Sequence, residues 1–163
     1  MASKKGIIIT VIILVAITAA SFLFWIIPQE NTATLVVSDY ENYLDGVKKI
    51  HEVLEESIRS EFQNLLDGKT SPDDYIAITE VTSSQVTTQI SEFITSKPTE
   101  KWQDSYISYM EALKKFNSYI IETKVAANML KDGHQIDAEI IQKIESLRLE
   151  SQELINKSDQ LRP

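Results

Sequence analysis

His51 and Glu55 stand four residues apart, a spacing that puts two side chains on one helical face and lets them share a ligand. An imidazole and a carboxylate suit a divalent metal, but two donors make a poor protein site. The other paired acids, Glu55-Glu56 and Asp73-Asp74, are neighbours in sequence. Adjacent residues splay around a helix, so these pairs read as a solvated face and a helix N-terminus rather than acid–base couples. Glu-x-x-His, which a di-iron bundle needs, is missing. So are G-x-S-x-G, H-E-x-x-H and a Gly-rich phosphate loop. The sequence has 4 glycines, and Gly6, Gly68 and Gly133 fall in the tail or just past expected helix ends. It has no cysteine, which removes disulfides, thiolate metal sites and a cysteine nucleophile. The expectation is a protein with no catalytic residue, no metal and no cofactor, and so not an enzyme.

What remains are groups that organise or bind. His51 falls inside an apolar stripe, between Val47, Leu54 and Ile58. Counting from the loops sets it level with Thr87 or Thr88 and with Tyr106 or Tyr109. A buried or half-buried histidine bonded to one of those hydroxyls is predicted, with a structural role favoured over a pH or ligand switch. His134 sits in a turn and is expected to be exposed. Ile107, Met110, Ile121 and Val125 form a second apolar stripe on the third helix, roughly 100° from its core stripe by the helical wheel. They are either covered by neighbouring helices or a contact face for a partner. Asn156-Lys157-Ser158 is a glycosylation sequon, with Asn156 as acceptor.

Four amphipathic helices must carry these residues. Ser38-Asp39-Tyr40-Glu41 reads as a capping box that opens a helix over 38–67. Its stripe is Tyr40, Tyr43, Leu44, Val47, Ile50, Leu54, Ile58, Phe62 and Leu65, and Gly68 stops it. Ser71-Pro72-Asp73-Asp74 starts a second helix over 72–96, with serine at the cap, proline at the first position and acids in the first turn. Its stripe is Tyr75, Ile78, Val81 or Thr82, Val86, Ile90, Phe93 and Ile94. Its Ser-, Thr- and Gln-rich middle favours helix poorly. A strand competes there, but the apolar period is not two, so helix is preferred. Lys97-Pro98-Thr99 breaks the chain. A long helix over 99–132 follows, with Trp102, Tyr106, Tyr109, Leu113, Phe116, Ile120, Ala127 and Leu130 inward. Asp132-Gly133 ends it. Asp137 caps a last helix over 137–160, with Ile140, Ile144, Leu147, Ser151, Leu154 and Ile155 inward, running on toward Leu161. Short loops predict an up-down-up-down four-helix bundle, with no sheet needed.

Ahead of the bundle lies a run unlike the rest. Ile7 to Ile27 is apolar, and no charge falls between Lys5 and Glu30. As a helix it would cover roughly 31 Å, about the hydrocarbon thickness of a bilayer. Lys4 and Lys5 precede it and Glu30 follows it, so the positive-inside rule predicts a cytoplasmic tail (1–5), a membrane helix (6–28), a connector (29–37) and an extracytoplasmic bundle (38–163). The apolar run continues through Trp25 and Ile27, too long and bulky for an ordinary cleaved signal peptide. A retained single-pass anchor in the cell membrane is therefore expected. Lys4-Lys5-Gly6 before an apolar helix resembles short archaeal prepilin leaders, which would imply a filament subunit.

All 24 acidic residues but only 14 of the 16 basic ones follow Pro28, so the outer part carries −10. Such a surface repels nucleic acid and anionic lipid, and no basic patch with interleaved aromatics is present. The expected partners are the bilayer, through 6–28, and another membrane or extracytoplasmic protein; self-association stays open. In overall texture the chain resembles small single-span helical membrane proteins of ammonia-oxidising archaea. That resemblance implies an accessory subunit of a membrane complex. Four-helix ectodomains of chemoreceptors are similar in outline and supply the alternative of a sensor or solute-binding module. Chemoreceptors return through a second span to an output domain, which this sequence does not show.

Overall fold

The computed structural model describes Val37 and residues 39–163. The expected tail, the expected membrane helix, the connector up to residue 36 and Ser38 lie outside the described residues. Among the described residues there are four helices and no strand: α1 (Tyr40–Leu66), α2 (Pro72–Thr95), α3 (Glu100–Lys131) and α4 (Ala138–Gln160). None is long and apolar enough to cross a membrane.

Local chemistry sets the ends. The N-cap of α1 is Asp39, whose carboxylate accepts from the Asn42 N–H. The capping-box reading built on Ser38 is thus corrected by one residue. That backbone hydrogen bond and one from the Asn42 side chain hold the Asp39 carboxyl below its usual range. Ser71 caps α2: its hydroxyl accepts from the Asp74 N–H at 3.2 Å and donates to the Asp74 carboxylate at 2.6 Å. Removing that hydroxyl with Ser71→Ala should cost about 1 kcal/mol, measurable by urea unfolding; no change would show that Pro72 and the acidic first turn suffice. Asp137 stands at the start of α4, but its side chain makes no cap bond. Gly68 and Gly133 follow α1 and α3 with φ of 69° and 78°, the left-handed conformation that glycine adopts at little cost.

Cross-helix pairs fix the topology. Tyr106 donates to the Tyr40 carbonyl at 2.8 Å near the start of α1 and α3, and Leu65 clusters with Ala127 near their ends. These two helices therefore run parallel, on a diagonal. Tyr75, at the start of α2, donates to Thr123 late in α3 at 2.8 Å. Ser158, late in α4, bonds Ser105 early in α3. Thus α2 and α4 are antiparallel to α3, and the bundle runs up-down-up-down.

The α3–α4 seam is the closest approach, and small side chains make it so. Ser105 Oγ donates to the Ser158 carbonyl and Ser158 Oγ to the Ser105 carbonyl, each at 2.9 Å. Two turns on, Ser151 Oγ donates to the Ala112 carbonyl at 2.9 Å. A serine hydroxyl reaches a neighbouring helix's backbone only if the two backbones are nearly in contact. Ser105, Ser158 and Ala112 are fully buried, and the reciprocal bonds satisfy the buried hydroxyls. Ala112→Leu should overpack this seam and cost about 1–3 kcal/mol. Urea unfolding reads the loss; an unchanged midpoint would mean that the seam can open without penalty.

In the Ser/Thr-rich α2 the hydroxyls are satisfied within the helix by bonding back to the preceding turn: Thr79 to Ile76, Thr82 to Ile78, Thr87 to Ser83 and Thr88 to Ser84. Thr82, not Val81, takes the buried position. Ile94 does not join the core, and 64 % of it is exposed. Leu161 likewise lies at the surface.

Candidate functional site

Two features stand apart from ordinary packing: a buried polar centre around His51, and an uncovered face along α2 and α3.

His51 projects from α1 toward α3. It is 1 % exposed. Its Nδ1 lies 3.1 Å from the Tyr109 hydroxyl, and its ring packs on Phe116 with centroids 4.4 Å apart. Thr87 and Thr88 are not its partners; they sit on the outer side of α2. Burial holds the His51 pKa down at about 4, so the ring is neutral near pH 7. Burial also raises the Tyr109 phenol above its usual value, so that group keeps its proton. Donation by Tyr109 to Nδ1 uses both groups and sets the proton of His51 on Nε2. Nε2 is itself buried and has no hydrogen-bond partner among the described residues.

Beside this pair, a crevice of about 180 Å³ opens between α1 and α4, lined by Lys48, His51, Glu52, Glu55, Tyr109, Gln152, Ile155 and Asn156. Here α1 and α4 meet through charges. Lys48 pairs with Asp159 at 2.5 Å and Arg162 with Asp45 at 2.7 Å. Glu55 is half-buried at the crevice rather than fully solvated, and desolvation raises its pKa. Glu56, by contrast, is exposed and pairs with Arg59. Asp73, the other paired acid with a lateral partner, meets Lys131 at 2.7 Å. His134 is exposed.

Of the second stripe on α3, Ile107 (46 %), Ile121 (48 %) and Val125 (39 %) are exposed, while Met110 is half-buried against the core. Ile121 borders an open groove of about 620 Å³ between α2 and α3. Hydroxyls of Ser83, Ser84, Thr87, Thr88 and Ser91 line one side, with Ile120, Ile121 and Lys124 on the other. Ser84, Thr87, Ser91 and Ile94 repeat at three-four spacing, so Ile94 belongs to the outer stripe of α2. The apolar stripe expected from the sequence includes both Phe93 and Ile94, but neighbours on a helix lie about 100° apart, and only Phe93 faces inward. The result is a face with isoleucines toward both ends and hydroxyls between. Asn156 is exposed on α4, at the crevice and away from this face.

Among the described residues, no group of three or more His, Asp or Glu side chains is placed to hold a metal ion. Comparison with protein-family models, with curated proteins and with solved structures returns no match.

Proposed function

We propose that the chain is a non-catalytic docking domain held at the outer surface of the cell membrane by residues 6–28, and that it binds another membrane or extracytoplasmic protein as an accessory subunit. The exposure of Ile107, Ile121 and Val125 carries this reading. They lie on α3, whose opposite side carries many of the buried side chains of the bundle, so a partner seated there would rest on a helix packed against the core. The adjoining groove adds apolar floor and hydroxyls that can bond a partner's backbone or polar side chains. Such a combination of apolar contact and adaptable hydrogen bonding suits a protein interface.

The test uses the full chain in its native membrane, solubilised in mild detergent and weighed by native mass spectrometry. A stoichiometric partner should accompany the wild type and be lost from the Ile107→Lys/Ile121→Lys/Val125→Lys variant. Circular dichroism should show the helical bundle intact in both. Retention of the partner by the variant, or a wild type with no stoichiometric partner, contradicts the proposal. Chains beginning at Ile7 in the same spectrum would support the filament alternative instead. The sensor alternative is favoured by a separate observation, the crevice beside His51.

A further inference from the structure

We propose that folding closes the Asn156-Lys157-Ser158 sequon: Asn156 accepts a glycan only while the last turns of α4 stand away from α3. This goes beyond the docking role and does not depend on the outer face of α3.

The two ends of the motif are placed differently. Asn156 is exposed on α4, so a glycan on its amide projects into solvent and the closed bundle tolerates it. Ser158 is 0 % exposed. Its Oγ donates to the Ser105 carbonyl at 2.9 Å and lies 3.2 Å from Ser105 Oγ. Its carbonyl in turn accepts from Ser105 Oγ at 2.9 Å. A glycan acceptor motif requires serine or threonine as its third residue, so that hydroxyl is what a transferase reads. Here the hydroxyl is sealed into the α3–α4 seam, out of reach of any second protein.

Helix geometry closes the motif a second time. Residues two apart on a helix point about 200° away from each other, so Asn156 and Ser158 cannot enter one enzyme pocket while α4 is helical. The chemistry requires such a pocket. In the transfer, Asn156 Nδ2 attacks the anomeric carbon of a sugar carried on a lipid diphosphate. A C–N bond forms as the C–O bond to the phosphate breaks. The lipid diphosphate leaves with that electron pair, and one amide proton passes to a base on the transferase. The amide is a weak nucleophile, because its nitrogen lone pair is shared with the carbonyl, so the acceptor has to be gripped closely. Freeing Ser158 for that grip means lifting the end of α4 off the bundle. That motion breaks the Lys48–Asp159 and Arg162–Asp45 pairs and uncovers Ile155.

The test incubates the full chain in detergent with a purified oligosaccharide transferase and a lipid-diphosphate-linked sugar, and maps the product by peptide mass spectrometry. The wild type is compared with two variants. Asp132→Asn/His134→Ser places a second sequon in the exposed loop after α3. Ser105→Leu puts a larger side chain in the seam and pushes the end of α4 outward, with the sequon intact. Circular dichroism checks that the wild type and the loop variant are folded. In the folded loop variant, Asn156 should be modified at least about tenfold more slowly than the loop position, because it waits for local opening of α4. Ser105→Leu should speed modification of Asn156 at least about tenfold over the wild type. A Ser105→Leu chain that fails to fold should do the same, since an unfolded chain presents the motif extended. Modification of Asn156 at the rate of the loop sequon would overturn the proposal, and so would a Ser105→Leu chain that stays unmodified.

Discussion

Replacing Phe116 by alanine is expected to lower the unfolding free energy by about 3–5 kcal/mol. Phe116 is 1 % exposed and lies where the diagonal helices α1 and α3 meet. Its ring packs under His51 and stacks on Tyr119 with centroids 6.0 Å apart. The transfer term for a phenyl group is only part of the loss. The rest depends on how far the surroundings collapse into the space left behind. Here they collapse poorly: His51 is tethered to Tyr109, Tyr119 is buried, and α3 is pinned to α4 by the serine pair. Urea unfolding measures the change. A loss below about 1.5 kcal/mol would mean that His51 and Tyr119 are not held as described. The same variant admits water beneath His51, so its depressed pKa should move back toward the ordinary histidine value.

The second large effect is a fall in stability between pH 6.5 and 4 that His51 carries. In the folded chain its pKa is about 4, because burial disfavours the imidazolium; an unfolded histidine titrates near 6.5. Between those values the unfolded chain binds more protons than the folded one. Stability therefore rises with pH through the window and is lost as pH falls through it. At pH 4.5 the loss from this group is about 2–3 kcal/mol. Glu55 and Glu92 act in the opposite sense, since burial raises their pKa values and the folded chain takes up their protons first. The glutamates are common to both chains when the wild type is compared with His51→Gln at pH 7 and 4.5, so that comparison isolates the contribution of His51. The pH-dependent difference should shrink by about 2–3 kcal/mol in the variant. An unchanged difference would show that His51 is not buried neutral.

Much of this bundle is written in its apolar spacing. The three-four repeats of α1 and α3 point one set of large side chains inward, although α3 carries a second stripe of which Ile107, Ile121 and Val125 stay exposed. In α1 no run of β-branched residues would suit a strand better. The end signals work where they are chemical: Ser71 before Pro72, and Gly68 and Gly133 after α1 and α3. The small-residue seam was not legible from hydrophobicity. Ser105 and Ser158 look like surface residues by composition, yet both are buried. The available signal was a seven-residue repeat of small or packing residues, Ser105-Ala112-Tyr119-Ala126 facing Ile144-Ser151-Ser158. Ile94 was misplaced for the reverse reason: an isoleucine next to a phenylalanine scores as core, although 100° of helix rotation separates them. Of the candidate site, the stripe on α3 was legible as a wheel position, but its exposure depended on which sides α2 and α4 cover. The crevice beside His51 was legible only as the His51–Glu55 spacing. Its wall from α4 follows from tertiary packing, which local sequence does not encode.

The central claim is that the outer face of α3 touches a protein partner in the native membrane. Photo-crosslinking from that face tests it most directly, with a photoreactive amino acid placed at Ile121 in the full chain and, as a control, at Gln142 on exposed α4. The account predicts one discrete crosslinked species from Ile121 and none from Gln142. No crosslink from Ile121, or the same product from both positions, would contradict it.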